Sequence, residues 1–273
     1  MTTLTEPDVT GTPTYAEQDR ASFGHVLHAE WVKLSSVRST WWTVVATFVL
    51  GAGLTILMCW GNAEWLAGPD ADESPGSFLT WGMMIAPISA VVLGALTVTT
   101  EYGTGMIRSS FAAVPSRSKV VVAKSVLVVA VLFVVGSVTA LVGYVGGNYF
   151  LDQEGIGMAL EGDVLRSMYG SGLYLAGIGL LTVAVGFLLR HTAGTVSVVL
   201  ALILVLGNMV MLVPGSLGDW LEKLMPGNAG GAVSTPVSFN PNLLEPWTGF
   251  GVFAAEIAVL LVLAFAVVRR RDA

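Results

Sequence analysis

The sequence predicts an all-α integral membrane protein with six transmembrane helices, an N-terminal amphipathic interfacial helix and both termini cytoplasmic. Three observations predict it. Of 273 residues, 54% are hydrophobic and only 12% charged, about half the charged share of a soluble domain. Six apolar stretches each approach or exceed the roughly 20 residues needed to cross a hydrocarbon core. The charges alternate in sign from one connecting segment to the next. The formal net charge of −6 hides that segregation.

Residues 1–22 are polar, acidic and rich in Thr and Pro, with neither the apolar core nor the cleavage pattern of a signal peptide. They read as a disordered cytoplasmic tail. Residues 23–39 differ. At 100° per residue Phe23, Val26, Leu27, Trp31, Leu34 and Val37 fall on one arc, the pattern of a helix lying in the cytoplasmic interface. Glu30 interrupts that arc. Either it snorkels or pairs with Lys33 one turn away, or it contacts another protein element.

The six spans, within a 40–273 transmembrane domain, are Trp41–Trp60, Trp81–Thr99, Val120–Gly146, Met168–Leu189, Ala193–Val213 and Thr248–Val268. Two carry an ionisable residue in their interior. Lys124 is close enough to the start of the third to snorkel; Glu256 lies about two turns inside the sixth. Only Arg190, His191 and Thr192 separate the fourth from the fifth, which predicts a tight helical hairpin. Trp41, Trp42, Trp60, Trp65, Trp81 and Trp247 mark span ends, as an aromatic belt requires.

Eleven of the 13 basic residues fall before span one, between two and three, between four and five, or after six. They include Arg20, Lys33, Arg38, Arg190 and Arg269–Arg271. Only Arg166 and Lys223 fall on the other side, beside many acids. The positive-inside rule then makes the first set cytoplasmic. The single cysteine, Cys59, excludes an internal disulfide and reads as a small buried hydrophobe. Nothing in the basic pattern speaks for nucleic acid.

The loop between spans two and three carries the densest local signal. It reads Glu101-Tyr102-Gly103-Thr104-Gly105-Met106-Ile107-Arg108, then Pro115-Ser116-Arg117-Ser118-Lys119. Gly103 and Gly105 allow a sharp reversal, Thr104–Ala113 reads as a short helix, and Pro115 ends it. This loop, together with the earlier A-E-W-V-K-L-x-S-x-R-S-T-W-W, resembles the corresponding regions of bacterial ABC exporter permeases of the type-2 class. Actinobacterial permeases look especially similar. The resemblance covers most of the chain in topology and two short regions in motif. It implies that Glu101, Tyr102, Gly103, Thr104, Gly105, Ile107 and Arg108 form a coupling helix region against an ATP-binding subunit, flanked by Pro115, Arg117 and Lys119. It implies a bacterial cell membrane location, multi-pass, and ATP and Mg held in that partner rather than here.

The chain has no cofactor site or catalytic constellation of its own. A P-loop requires a glycine before its lysine, and Lys33, Lys119, Lys124 and Lys223 follow Val, Ser, Ala and Glu. ATP hydrolysis is therefore expected in a separate subunit. Small residues at every fourth position, Gly82, Ala86, Ala90 and Gly94, allow close helix approach in span two, and Pro87 beside them predicts a kink. Gly143 and Gly147, and the glycines of span four, add further close approaches. As a set these faces suggest a homodimer with a path on its two-fold axis. Glu256 is a functional-site candidate because an intramembrane carboxylate is costly, against a hydrogen-bonded structural role. In the outer 214–247 segment, Leu217, Trp220, Leu221 and Leu224 share a helical face that could rest on the outer leaflet; a structureless loop is the alternative. Two other functions compete with the exporter permease: an ion-coupled secondary transporter, for which no inverted repeat is visible, and a non-transporting scaffold or sensor subunit.

Overall fold

A computed structural model describes residues 22–270 except 115, 211, 239 and 241. The tail over 1–21, Pro115 and Arg271 lie outside the described residues. The described chain is helical, with no strand. Four helices are long and apolar enough to cross a membrane: α2 (Arg38–Ala67), α6 (Arg117–Gln153), α7 (Gly162–Leu189) and α11 (Pro246–Arg270). The other two predicted spans are shorter as helices. They are α4 (Pro87–Thr104) and α8 (Thr192–Leu206), which Gly207–Val210 continues.

The amphipathic helix α1 spans Phe23–Ser36 and stops before the predicted Ser39, because Val37 is extended. Ser22 caps it by accepting from the His25 N–H. Its arc divides between two surroundings. Val26, Glu30 and Leu34 are buried against the protein, whereas Phe23 and Trp31 remain exposed. Val26 meets Val120 and Ala123 at the start of α6.

Span two is not one continuous helix. Short α3 (Pro75–Phe78) and a 3₁₀ turn over Trp81–Met84 precede α4. Pro87 therefore starts a helix instead of kinking one, at the N-terminal position where its missing N–H costs nothing. The break places Gly82 directly on the backbone of α2. A Cβ there would lie 1.9 Å from the Gly51 carbonyl oxygen, and the Gly82 N–H donates to Thr55 Oγ1 at 3.0 Å. Gly51 itself lies in a π-helical segment, Val49–Gly53. A second such segment, Ala201–Leu206, lies in α8.

Helix α7 is the axis of the bundle. Its most apolar window is 78% buried, against 22–39% for the other three long helices. Its glycines admit neighbours: Gly172 faces Phe133 and Ser137 of α6, Gly177 faces Phe253 of α11, and Gly170 faces the Val233 carbonyl. Gly94 of α4 in turn fits against Gly179 and Thr182, while Ala86 and Ala90 are fully buried. The small residues of span two thus pack inside the protomer. Cys59 is wholly buried in α2, against Gly147 of α6.

The 214–247 segment is folded. It contains α9 (Ser216–Leu224), α10 (Pro226–Gly231) and a 3₁₀ turn over Ala232–Ser234. Arg166 of α7 holds it. The buried guanidinium donates to the carbonyls of Val233 (3.2 Å), Thr235 (3.1 Å) and Pro236 (3.3 Å). Leu217, Trp220 and Leu224 of α9 stay exposed.

Helix α6 has 37 residues, about 55 Å at 1.5 Å per residue, against a hydrocarbon core of about 30 Å. Its N-terminal turns thus project past the apolar layer, beside α1 and the loop before it. At the same end α7 stops at Leu189 and α8 begins at Thr192. Arg190 takes a left-handed conformation to turn the hairpin.

Two glycine substitutions separate close packing from open space. Gly82→Ala places a methyl group inside a backbone contact, and overpacking of this kind costs about 1–3 kcal/mol or more. Gly53→Ala, where a Cβ meets nothing within 4 Å, leaves stability unchanged or slightly raised. Thermal unfolding of the detergent-solubilised protein measures both.

Candidate functional site

The loop between α4 and α6 is built around one left-handed residue. Gly105, at φ 74°, ends α4 and starts α5 (Met106–Ala113). Gly103 is an ordinary exposed residue of α4, so the reversal needs one glycine, not two. Helix α5 buries Ile107 and presents Met106, Arg108 and Ser109 outward.

Beneath it lies a ring of four charges. Lys33 Nζ donates to Glu30 Oε1 at 2.7 Å and to Glu101 Oε1 at 2.9 Å. Lys124 Nζ donates to Glu30 Oε2 at 2.7 Å and to Glu101 Oε1 at 2.9 Å. Carboxylate and ammonium alternate around the ring, and its net charge is zero. Lys124 is 2% exposed, Glu30 and Glu101 5% each. Taking such ions out of water costs several kcal/mol each, offset only when every donor finds a partner. Here each does. The third proton of Lys124 goes to the Thr97 carbonyl at 3.0 Å, and the third of Lys33 to Ser110 Oγ at 3.0 Å. Burial works against the charge on Lys33, but the Glu30 and Glu101 carboxylates outweigh it. Its pKa is raised above the ordinary lysine value.

The ring joins α1, α4, α5 and α6, which the sequence separates by up to 94 positions. Glu30 interrupts the apolar arc of α1 for this reason: it pairs with Lys33 and also reaches another element. Lys124 does not snorkel. It turns inward, because α1 covers it and offers carboxylates at closer range than water. A sequence signal for this existed. Three ionisable residues of opposite signs, Glu30, Glu101 and Lys124, each sit in an apolar pattern, and a short loop returns the chain from Glu101 to Lys124.

Around the ring, Tyr102 stacks edge-on with Phe187 at 6.4 Å and receives the Arg190 guanidinium over its face at 5.0 Å. Thr99 and Thr192 share a 2.7 Å hydroxyl contact. Arg117 lies over Phe111 at 5.5 Å and donates to the Val268 carbonyl at 3.2 Å. Arg269 reaches Ser118 at 3.3 Å. The loop is thereby fixed to α1, α6, α7, α8 and α11 together. Lys119 lies in the first turn of α6. Leu27 and Leu34 pack α1 inward, while Phe23 and Trp31 face out. Glu256 is remote from this site, on α11, and its Oε2 is buried without a hydrogen-bond partner.

In a comparison with protein families, residues 26–208 match the one described as ABC-2 family transporter protein. That is about two thirds of the chain. It takes in the whole ring and α5, and leaves α9 to α11, with Glu256, outside. Among curated proteins no sequence matches the chain.

Removing one member of the ring strands a buried charge. Lys124→Met is expected to cost about 3–5 kcal/mol, the usual penalty for breaking a buried pair. Lys124→Met with Glu101→Gln removes one charge of each sign and leaves Glu30 with Lys33. The double variant is expected to unfold at a temperature nearer the wild type than Lys124→Met alone.

Proposed function

This chain belongs to the ABC-2 family of transporter proteins, and on that premise we propose that it is the permease of an ATP-driven exporter. Permeases of that family work with ATPase activity housed in a separate subunit. On this reading six segments cross the membrane, both termini are cytoplasmic, and two copies pair as a homodimer around a central path. Helix α5 docks on the ATP-binding subunit.

One observation carries the docking assignment. Helix α5 faces outward with Met106, Arg108 and Ser109, and its inward face reaches the charge ring through Ser110. A push on α5 therefore passes to α1, α4 and α6 at once, since the ring ties them with charge-assisted hydrogen bonds. A helix held only by a mobile loop would absorb that push. The basic residues gathered at this end of the bundle support its cytoplasmic placement.

Arg108→Glu reverses a charge on the docking face. Gly103→Trp adds bulk where a Cβ meets nothing within 4 Å, which avoids the backbone strain that any side chain meets at Gly105. Both are expected to leave the permease folded, and to abolish co-purification with the ATP-binding subunit and stimulation of its ATPase. Unchanged association in both variants would remove α5 from the interface. For Glu256, the expected result of Glu256→Gln is normal expression with impaired transport. Normal transport would assign it a structural role.

A further inference from the structure

A cavity of about 310 Å³ opens beside the charge ring, between α1, the start of α2 and the end of α4, with Met106 at its rim. That volume lies at the lower end of the range for small-molecule sites. Its walls mix leucines with hydroxyl side chains, and its inner end is the ring itself.

The hydrogen-bonding character of this cavity is one-sided. An ammonium has three donors and no acceptor. All three of Lys33 and all three of Lys124 are already spent. Most of the wall hydroxyls have also spent their one proton. Ser36, Thr43, Thr97, Thr100 and Thr104 each donate to a carbonyl of their own helix, at 2.6–3.0 Å. What they turn outward are lone pairs. Glu101 Oε2 has spare acceptor capacity too, since its partner is the Ser110 hydroxyl at a long 3.5 Å. A ligand meeting this surface finds many acceptors; Ser39 and Thr40 are the wall hydroxyls not committed to a carbonyl. Lys33 is the loosest member of the ring. Its side chain is 33% exposed, against 2–7% for the other three.

We propose that this cavity binds the protonated amine of an amphiphile, which takes the place of the Lys33 ammonium on Glu30 and Glu101. Lys33 holds that seat as a tethered ammonium when no ligand is present. Exchange conserves charge: one ammonium enters, another swings into water, and both buried carboxylates stay paired. The threonine lone pairs accept any remaining N–H, and the leucines cover the first methylene groups. Departure of Lys33 also frees Ser110, so occupancy would loosen α1 from α5. The inference is separate from the docking assignment, because binding is read on the permease alone; loss of ATPase coupling leaves it untouched.

The test is equilibrium binding of dodecylammonium to the full chain in phosphatidylcholine nanodiscs, corrected by protein-free nanodiscs. Saturable binding to the wild type is expected. Lys33→Met removes the competitor and is expected to tighten binding about tenfold. Glu101→Gln is expected to weaken it about tenfold, the range of one charge-assisted hydrogen bond. Because Glu101→Gln also weakens the ring, Thr100→Val and Thr104→Val provide a second arm: both leave the ring intact, and together they are expected to weaken binding. Dodecyltrimethylammonium, with the same charge and no N–H, is expected to bind less tightly. Three results would each overturn the proposal: no saturable binding, binding indifferent to both Lys33→Met and Glu101→Gln, or stronger binding of dodecyl sulfate, which would make Lys33 a recogniser of anions.

Discussion

Two ammonium groups and two carboxylates closed into a ring, with three of the four almost wholly out of water, hold the basic end of this protein together. Buried charge tolerates no vacancy, so each member fixes the position of its neighbours. Glu30 can meet Lys124 only if α1 lies flat against the first turns of α6. Glu101 can meet both lysines only if α4 ends level with them. The geometry of four helices is thus set by the requirement that six N–H donors find acceptors within hydrogen-bond distance. Apolar packing at this corner is thin: Val26 against Val120 and Ala123 is its main component.

The rest of the bundle is organised differently. Around α7, glycines bring backbones and rings into direct contact, with dispersion and close fit as the cohesive terms. Gly170 under the Val233 carbonyl and Gly177 under Phe253 leave no room for a methyl group. Arg166 adds a polar counterpart at the far end, where one guanidinium gathers the carbonyls of a segment that would otherwise wander. The protein therefore has a close-packed middle and two polar fastenings, one at each end. The fastening beside α5 has a partly exposed member, Lys33; the Arg166 fastening does not.

That difference bears on mechanism. A permease must hold its docking helix rigidly enough to receive a displacement, yet be able to change shape. A saturated ring does the first. A ring in which one ammonium can be exchanged for another does the second without leaving a charge unpaired. The long α6, projecting beyond the apolar layer, carries Lys124 at the base of this device and Leu132 and Val128 against Gly179 further in, so motion at the ring has a stiff path toward the packed centre.

The sequence by itself determined the solvent and the outline. Apolar runs of membrane length, their charge alternation and the Trp-marked ends made a helical membrane protein the natural reading, because hydropathy and charge are sums over local residues. The hairpin at Arg190–Thr192 and the short helix before Arg117 were legible for the same reason. Other features were not. Whether Trp81–Thr99 forms one helix depended on Gly82 meeting Gly51, a contact across the fold. Folding of the 214–247 segment depended on Arg166, which the sequence counts only as a misplaced positive charge. The ring was half legible: Glu30, Glu101 and Lys124 each stood out as an ionisable residue in an apolar pattern, and Lys33 was named as a neighbour of Glu30. That all four converge was decided only by the tertiary structure, since pairing is a matter of distance and no local pattern encodes which distant carboxylate a lysine will find.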